Sequence, residues 1–304
     1  MGFLDEVRAN AAAIATSARS VRAHTDAIRA YATALPLDNI AAPQLDPATH
    51  YSGPPEEMRA FVLALDAINF GSGYFPKLTK RAGLSGYFTV AASLKDAYER
   101  RGPLSADALQ GLSRNDCASI FGQAESREPA VAELMALFSR ALNDLGRYVT
   151  ESFGGSFGAL VASAAGSAER LVAILAEMPF YQDVGFYKRA QLTAADLSIA
   201  GVAEFTDLRR LTIFADNLVP HVLRVDGVLS YTPELLARID RAELIPAGSA
   251  EELEIRACAV HAVELIRNEL PGVTSMQLDY VLWNRGQAPR YKARNRHRTR
   301  TVFY

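Results

Sequence analysis

The sequence predicts a mainly helical protein with at most a few short strands. Apolar residues recur at helical spacing in several long segments, and prolines or glycines stand at the ends of those segments. Strands do not alternate with helices, as a parallel sheet would require. A chain of 304 residues is long enough for a large core, and no linker divides it clearly. We therefore expect one unit over residues 1–304.

The first helices are predicted before residue 70. The alanine-rich stretch to about residue 45 is amphipathic and is expected to pack as helices. Its apolar positions are Val7, Ala11, Ile14 and Val21. Pro54 and Pro55 then begin a helix, because proline is favoured in a first helical turn. The apolar spacing of this helix continues to about Ile68.

Three later helices have clear sequence limits. Residues 88–100 are predicted to be helical, and Gly102 ends this helix. Pro129 begins a long amphipathic helix. Residues 249–252, SAEE, form a capping-box pattern, and the helix that they begin is expected to reach about Leu270, where a Pro-Gly pair follows.

Strand signals are few, and the best candidates for extended segments are residues 51–55 and the basic tail, residues 285–304. The tail holds seven Arg or Lys residues and no acid, so the first 284 residues carry a net charge of −9 within the total of −2. Cations recur at every second position from Arg290 to Arg300, which would line one edge of an extended segment. Phosphate binding and a solvated basic tail both fit this pattern.

Composition restricts the class of protein. Hydrophobic residues make up 49% and charged residues 22%, and no apolar run is long enough to span a bilayer. Acidic and basic residues near the N-terminus interrupt any secretory signal. Only Cys117 and Cys258 occur, which disfavours a disulfide framework. We therefore expect a cytoplasmic protein with no membrane partner.

Several common catalytic patterns are absent or lack their structural context. Residues 154–158, GGSFG, match the nucleophile elbow of serine hydrolases, but a helix rather than a strand is predicted before them. No Walker lysine follows a glycine-rich loop, and no dinucleotide fingerprint stands between a strand and a helix. The five histidines show no paired spacing with carboxylates. The sequence therefore implies neither a metal nor a cofactor.

A buried lysine and a nearby aspartate form the first candidate site. In residues 186–196, FYKRAQLTAAD, Lys188 lies on the apolar face of a predicted helix. Burial lowers the pKa of a lysine unless an anion is close. Residues 214–217, FADN, are predicted to lie in a second helix, with Asp216 at the margin of its apolar stripe. A structural ion pair and a charged reaction centre both fit this spacing.

Two aromatic segments are candidate ligand contacts. Residues 69–75, NFGSGYF, place aromatic rings around two glycines, which suits either a clamp for a flat ligand or an ordinary loop. Asp279 stands four residues before Trp283, the only tryptophan, so the two share one face of a helix. A carboxylate accepts hydrogen bonds from a guanine-like edge, and an indole stacks on a ring.

Many separate segments carry a resemblance to a known family in one order along the chain. They are residues 65–70, 86–87, 153–157, 186–191, 195–196, 212–216, 254–256, 263–267, 278–280 and 282–283, with Arg298, Arg300 and Tyr304. In these segments the sequence resembles the queuosine salvage family, the queuosine 5'-phosphate N-glycosylases. The resemblance extends from about residue 50 to the C-terminus.

This resemblance implies a helical fold similar to that of the helix-hairpin-helix DNA glycosylases. It also implies hydrolysis of queuosine 5'-monophosphate to ribose 5-phosphate and queuine, which is salvaged into tRNA modification. The catalytic aspartate of the family falls on Asp216, and its accompanying lysine falls on Lys188. A carboxylate there would stabilise oxocarbenium charge at C1' of the ribose and position the attacking water.

The resemblance also suggests substrate contacts. Queuine is a 7-deazapurine, so it lacks the N7 that ordinary purine glycosylases protonate, and help for its departure must come from elsewhere on the base. The candidates for binding the base are Asn69, Phe70, Asp196, Asp279 and Trp283. The candidates near the 5'-phosphate are Tyr231, His297, Arg298 and Arg300.

Two other classes of function stay open at this point. A base-processing or nucleic-acid-binding protein with a glycosylase-like fold would use the basic tail, although the acidic body disfavours tracking along a duplex. Duplex affinity that falls steeply with salt would favour that class. In a non-catalytic scaffold, Lys188 and Asp216 would form a plain ion pair, and Asp216→Asn would change stability alone. The expected partner is a small-molecule nucleotide, without a stable nucleic-acid complex.

Overall fold

The computed structural model describes residues 2–37 and 43–304. The α-helices of this part of the chain are α1 (Phe3–Ser17), α2 (Ile28–Ala34), α3 (Pro55–Ala67), α4 (Gly86–Arg101), α5 (Ala106–Gln110), α6 (Arg114–Ile120), α7 (Pro129–Phe153), α8 (Phe157–Ser163), α9 (Ala168–Leu175), α10 (Lys188–Ile199), α11 (Leu218–Val225), α12 (Pro233–Asp240), α13 (Ala250–Asn268), α14 (Ser275–Arg285) and α15 (Pro289–Lys292). Strand β1 (Val21–Ala23) pairs antiparallel with β2 (Leu229–Tyr231). The predicted fold class is confirmed, while the single unit and the likeness to DNA glycosylases stay predictions.

Local signals set the ends of the helices that the sequence predicted best. Pro55 occupies the first turn of α3, and Pro129 that of α7. Gly102, at φ 81°, ends α4 in a backbone conformation that favours glycine. The Ser249 side chain accepts a hydrogen bond from the backbone N–H of Glu252 at the start of α13, at 3.3 Å. None of the described helices is both long enough and apolar enough to cross a membrane.

The N-terminal helix is part of the main core. It buries Leu4, Val7 and Ala11 and packs chiefly against α13. Arg8 Nε lies 2.8 Å from Glu264 Oε2, which joins the two helices at the edge of this contact. The expectation that this stretch packs as helices is confirmed for α1 and α2, and its residues 38–42 lie outside the described residues.

Helical spacing was misleading at Val21, which lies in β1. The backbone N–H of Val21 donates to Glu254 Oε2 at 3.1 Å, and the N–H of Ser20 donates to the same oxygen at 2.6 Å. The backbone of β1 also pairs with that of β2. The strand is therefore stabilised by partners that lie far away in the sequence. The prediction of an extended segment at residues 51–55 was wrong, since α3 begins at Pro55 and no strand pairs there.

Helix α10 lies near the centre of the molecule and is buried on most sides. Its Arg189 is 2% exposed and donates from Nη1 to the carbonyl oxygens of Asp66 and Ala67, at 3.2 and 2.5 Å. These carbonyls are at the C-terminal end of α3, where a cation interacts favourably with the helix dipole. The Arg189 guanidinium also stacks over the Tyr181 ring, 4.6 Å from its centroid. A central charged residue thus satisfies the end of a neighbouring helix.

The predicted helix through FADN was wrong. Residues 211–217 are not helical, and α11 begins only at Leu218. Pro220 explains this limit, because it has no N–H for the carbonyl of residue 216 and its ring would clash there. Side chains hold the segment instead: Phe214 N–H donates to Asp279 Oδ1 at 2.9 Å, and Ala215 O accepts from Arg256 Nε at 3.0 Å.

Residues 285–294 of the basic tail are in helix, turn or bend, so the prediction of an extended tail was wrong there. Residues 295–304 contain neither helix nor turn. An isolated bridge joins Arg298 to Leu244, and the Arg298 carbonyl accepts from the Ile245 N–H at 2.8 Å. Further on, the carbonyl of Tyr304 accepts from the Gly71 N–H at 3.1 Å. The tail therefore buries His297, Thr299 and Tyr304 and approaches the loop after α3.

Candidate functional site

Lys188, the first residue of α10, is the centre of a cluster of acidic side chains. It is 6% exposed. Burial lowers its pKa, and the charges of Asp216, Asp66 and Asp279 oppose that effect. The charge of Lys188 also acts on Asp196, two turns further along the same helix. We call these four residues, Asp66, Asp196, Asp216 and Asp279, the carboxylate cluster.

The lysine does not form a direct ion pair within this cluster. In the described part of the chain, no carboxylate oxygen lies within 4.0 Å of Lys188 Nζ. The backbone N–H of Lys188 donates to Asp183 Oδ2 at 3.1 Å, which fixes the start of α10. The plain ion pair of the scaffold hypothesis is therefore absent, and the ammonium keeps its hydrogen-bonding capacity.

Asp216 lies immediately before α11 and is half-buried. Its Oδ1 accepts hydrogen bonds from the N–H groups of Leu218 and Val219, at 2.7 and 3.4 Å. Such donors at a helix start interact favourably with negative charge. Among residues 2–37 and 43–304, its Oδ2 has no hydrogen-bond partner. One oxygen thus fixes the carboxylate, and the second is available for chemistry.

A buried arginine joins the segments that carry Lys188 and Asp216. Arg256, from α13, is 2% exposed. Its Nη1 and Nη2 bind Asp183 Oδ1 and Oδ2 at 3.0 and 2.5 Å, and its Nε donates to Ala215 O at 3.0 Å. Burial alone would lower the pKa of Arg256, but Asp183 holds it above its ordinary value. Since Asp183 also binds the Lys188 backbone, one guanidinium fixes both sides of the site.

We expect Arg256→Lys to lower the free energy of unfolding by about 2–4 kcal/mol, because an ammonium cannot make the paired and lateral hydrogen bonds together. Urea unfolding measures the loss. The matched control is Arg238→Lys, whose Nη1 lies 3.0 Å from Glu251 Oε1 in a solvent-accessible pair. That change should cost less than about 1 kcal/mol. Equal losses in the two variants would contradict the role given to Arg256.

Gln191 is a second connector between α10 and the segment before Asp216. Its Oε1 accepts from the Thr212 N–H at 2.9 Å, and its Nε2 donates to Thr212 Oγ1 at 2.9 Å. The amide is fully buried. Sequence reasoning did not select Gln191, Asp183 or Arg256 as site residues. The sequence signal that could have identified Gln191 as a site residue was a polar residue inside an otherwise apolar helical segment.

Burial raises the pKa of three members of the carboxylate cluster. Burial raises the pKa of Asp279 to about 8, and the charge of Asp216 adds to this rise. Burial also raises the pKa of Asp66 to about 6. At Asp196, burial and the charge of Asp66 raise the pKa well above its ordinary value. Ionising these groups therefore costs free energy in the folded protein.

We expect Asp279→Asn to reduce the loss of stability at alkaline pH. The pKa of Asp279 rises from 3.8 to about 8 on folding, so the folded protein binds more protons between these values. Stability is then fully retained below the unfolded pKa and decreases as pH rises through the folded pKa. Asparagine keeps an oxygen for the Phe214 N–H and does not titrate. The difference between the Tm at about pH 5.5 and the Tm at about pH 9 should be smaller in the variant than in the wild type. Equal differences in the two proteins would contradict this prediction.

Three partly exposed aromatic side chains pack together next to the carboxylate cluster. Tyr87 and Phe88, from α4, have ring centroids 5.3 Å apart, and Phe88 meets Trp283 edge-on at 5.9 Å. All three keep part of their surface exposed. Burial and the charge of Asp196 raise the pKa of Tyr87 well above its ordinary value, which places Tyr87 near that carboxyl group. We call Tyr87, Phe88 and Trp283 the aromatic wall.

The two predicted base contacts after α3 occupy different positions. Asn69 lies beside the cluster and donates from Nδ2 to Asp66 Oδ1 at 3.4 Å. Phe70 is 2% exposed, its ring meets Phe138 at 5.2 Å, and the Arg189 guanidinium lies over it at 5.1 Å. Phe70 therefore packs in the core and supports Arg189. Its role in stacking on the base stays a prediction.

The predicted phosphate contacts in the tail are separated. His297 is 1% exposed, and its carbonyl accepts from Asn217 Nδ2 at 3.3 Å, so it anchors the tail beside Asp216. Burial lowers the pKa of His297 to about 3, which keeps the ring neutral. Arg298 is held through its backbone, as described above. Arg300 pairs with Glu133 at 3.6 Å and is exposed. The phosphate roles of these residues stay predictions.

Arg296 is the tail cation that faces the cluster, and sequence reasoning left it as a surface residue. Arg296 is an exposed residue. Burial among surrounding protein lowers its pKa, and the charge of Asp216 opposes that effect. The alternation of cations along the tail was the available signal, but it did not distinguish Arg296 from its neighbours.

Tyr231 lies elsewhere, on β2. It lines an open groove of about 610 Å³ together with residues 15–16, 18–23 and 25 and His261. The Arg224 guanidinium lies over its ring at 5.5 Å, and its buried hydroxyl has no partner in the described part of the chain. No contact brings Tyr231 to the carboxylate cluster, so its predicted role near the phosphate also stays a prediction.

The fold and the carboxylate cluster define a helical protein whose charged site, with an aromatic wall, suits a polar ring-bearing ligand. The family model described as "Queuosine salvage protein" matches residues 49–304. This chain belongs to the queuosine salvage protein family, and the resemblance inferred from its sequence is confirmed.

Curated relatives agree over nearly the whole chain. The "Queuosine 5'-phosphate N-glycosylase/hydrolase" of Sphaerobacter thermophilus is 36% identical over 312 residues, covering 96% of this chain and 95% of the relative. The protein of the same name from Mus musculus is 32% identical, with 83% of each chain covered. That from Dictyostelium discoideum is 37% identical over 80% of this chain and 77% of the relative.

Proposed function

We propose that this chain hydrolyses the N-glycosidic bond of queuosine 5'-phosphate and releases queuine for salvage into tRNA modification. The observation that carries the proposal is the arrangement of Lys188 and Asp216. The charge of Asp216 acts on Lys188 without a direct ion pair, and one oxygen of Asp216 stays free. The names of the relatives supply the substrate.

The chemistry follows from the positions of these two side chains. As the bond from C1' to the base breaks, positive charge develops on the ribose, and the free oxygen of Asp216 stabilises it. The same carboxylate orients water and accepts its proton as water adds to C1'. Lys188 offsets the negative charge of the cluster and donates hydrogen bonds to the ribose or to the water.

The surroundings suggest the orientation of the substrate. The aromatic wall provides a face on which the base can stack, and Asp196 and Asp279 lie beside the cluster for its polar edge. Arg296 lies on the Asp216 side, where the 5'-phosphate would follow the ribose. We therefore propose that the base faces the wall and the phosphate faces the tail.

The test is release of queuine and ribose 5-phosphate from queuosine 5'-monophosphate by the purified full-length protein in buffer with EDTA. Guanosine 5'-monophosphate serves as the matched substrate with an ordinary purine. We expect turnover of the first substrate and little or none of the second. Failure to release queuine under conditions in which the protein is folded would overturn the proposal.

A nucleic-acid-binding function receives less support, because several cations of the tail are engaged within the chain. Arg285 Nε and Arg290 Nη2 bind the two oxygens of Asp226 at 2.9 and 2.6 Å, and Arg300 pairs with Glu133. We also propose a cytoplasmic location. Cys117 and Cys258 are buried free thiols, which fits a reducing compartment.

A further inference from the structure

Asp196 differs from the other members of the carboxylate cluster because its carboxyl group is not anchored. Asp216 binds the start of α11, Asp279 accepts from the Phe214 N–H, and Asp66 accepts from Asn69. Within the described ranges, 2–37 and 43–304, the Asp196 carboxyl has no hydrogen-bond or ion-pair partner. It is nevertheless partly exposed, unlike Asp66 and Asp279. Asp196 is therefore the cluster member that is free to meet a ligand.

Carboxyl groups outnumber cations in this cluster. Four carboxyl groups share the buried ammonium of Lys188, Arg296 interacts with Asp216, and the neighbouring Arg189 directs its guanidinium to carbonyl oxygens of α3. Full ionisation would leave a net negative charge in a poorly solvated region, which is costly. Asp66 Oδ2 is also buried without a hydrogen-bond partner, so this region offers little compensation for a second charge next to it.

The groups that face Asp196 place it on the base side of the site. The charges that act on Asp196 are those of Asp66 from α3, Lys188 from α10 and Asp279 from α14. The charge of Asp196 in turn raises the pKa of the Tyr87 hydroxyl from α4. Burial and the charge of Asp66 raise the pKa of Asp196 well above its ordinary value. Because Tyr87 belongs to the aromatic wall, Asp196 lies where the base would stack rather than beside Arg296.

We propose that Asp196 is the general acid of the reaction, protonated before catalysis and positioned to donate that proton to the departing base. This inference rests on the proposed function. A 7-deazapurine has carbon at position 7, so the proton must enter at another nitrogen or at the oxygen of the base. A residue beside the base, separate from Asp216, is then required for that transfer.

The proton transfers balance in one turnover. The bond between C1' and the base nitrogen breaks, its electron pair goes to the base, and the Asp196 carboxyl group gives its proton to the base. Water forms the new bond to C1', and Asp216 takes a proton from that water. The products are neutral queuine and ribose 5-phosphate. Asp216 then loses its proton and Asp196 regains one through solvent.

The test compares two leaving groups in the full-length protein. The substrates are queuosine 5'-monophosphate and 4-nitrophenyl β-D-ribofuranoside 5-phosphate, whose nitrophenolate departs without a proton. Asp196→Asn should lower kcat on the nucleotide about 10²- to 10³-fold but lower kcat on the nitrophenyl substrate less than about 5-fold. Asp216→Asn should lower both. Asp207→Asn, which alters a carboxylate that accepts a hydrogen bond from the start of α9, should lower kcat on neither substrate.

The pH profile gives an independent readout that a merely structural role would not move. For the wild type, kcat/KM on the nucleotide should fall at alkaline pH as the acid ionises. Asp196→Asn should lack that limb, whereas Asp279→Asn, which removes the cluster carboxyl whose pKa is about 8, should keep it. Asp196→Glu, which keeps a carboxyl group, should restore part of the activity. Equal losses on the two substrates, or an unchanged alkaline limb, would overturn the assignment. Absence of wild-type queuine release would instead overturn the proposed function itself.

Discussion

Asp216→Asn is expected to lower kcat for queuine release at least ~10³-fold, because the amide neither stabilises positive charge at C1' nor accepts a proton from water. Folding should be retained. Asparagine caps a helix about as well as aspartate, so the hydrogen bonds to Leu218 and Val219 can persist. Single-turnover kinetics and urea unfolding measure the two quantities in the same preparation.

The matched control is Asp207→Asn. Asp207 Oδ1 accepts a hydrogen bond from the Ala168 N–H at 2.6 Å, so Asp207 also caps a helix, but that helix is α9. Asp207→Asn should lose more stability than Asp216→Asn, because Asp207 Oδ2 also accepts from the Glu169 N–H at 3.2 Å and asparagine has only one acceptor oxygen. Loss of activity is expected only at Asp216. If Asp216→Asn kept more than about a tenth of the wild-type kcat, the carboxylate would not be the catalytic base.

Lys188→Met is the second change with a large expected effect. It removes the buried ammonium and keeps a side chain of similar length, so kcat should fall about 10²- to 10³-fold. The carboxylate cluster would then have no lysine charge close to it. Ionisation would become more costly, so the acid limb of the pH profile should move to higher pH. Rates measured over the accessible pH range report both effects.

Lys95→Met provides the comparison for this variant. Lys95 Nζ lies 3.1 Å from Glu99 Oε1 in a partly exposed pair on α4. Its replacement should leave the rate and the pH profile unchanged. An unchanged profile in Lys188→Met as well would return Lys188 to a structural role, as in the scaffold hypothesis.

The parts of the fold that could be predicted from the sequence are those set by neighbouring residues. Pro55, Pro129, Gly102 and Ser249 each act within one turn of a helix end, so their effect is visible in a short window of sequence. The burial of Lys188 was also predictable, because its apolar neighbours recur with the helical period.

The path of the chain before Asp216 could not be predicted in this way. Its backbone is held by Gln191, Asp279 and Arg256, which come from three different helices. The spacing of apolar residues there imitates a helix, and only Pro220 gave a local signal against it. Arg296 was missed for a related reason, since the irregular path of the tail decides which cation faces the cluster.

The packing of α1 against α13 has a consequence for biosynthesis. The two helices are separated by roughly 230 residues, and they form one of the most extensive contacts in the molecule. At a translation rate of about 5–20 residues per second, the apolar face of α1 would wait about 10–50 s for its partner to be synthesised. During that interval Leu4, Val7 and Ala11 lack their final partner surface. The contact between α1 and α13 therefore forms only after most of the chain has been synthesised.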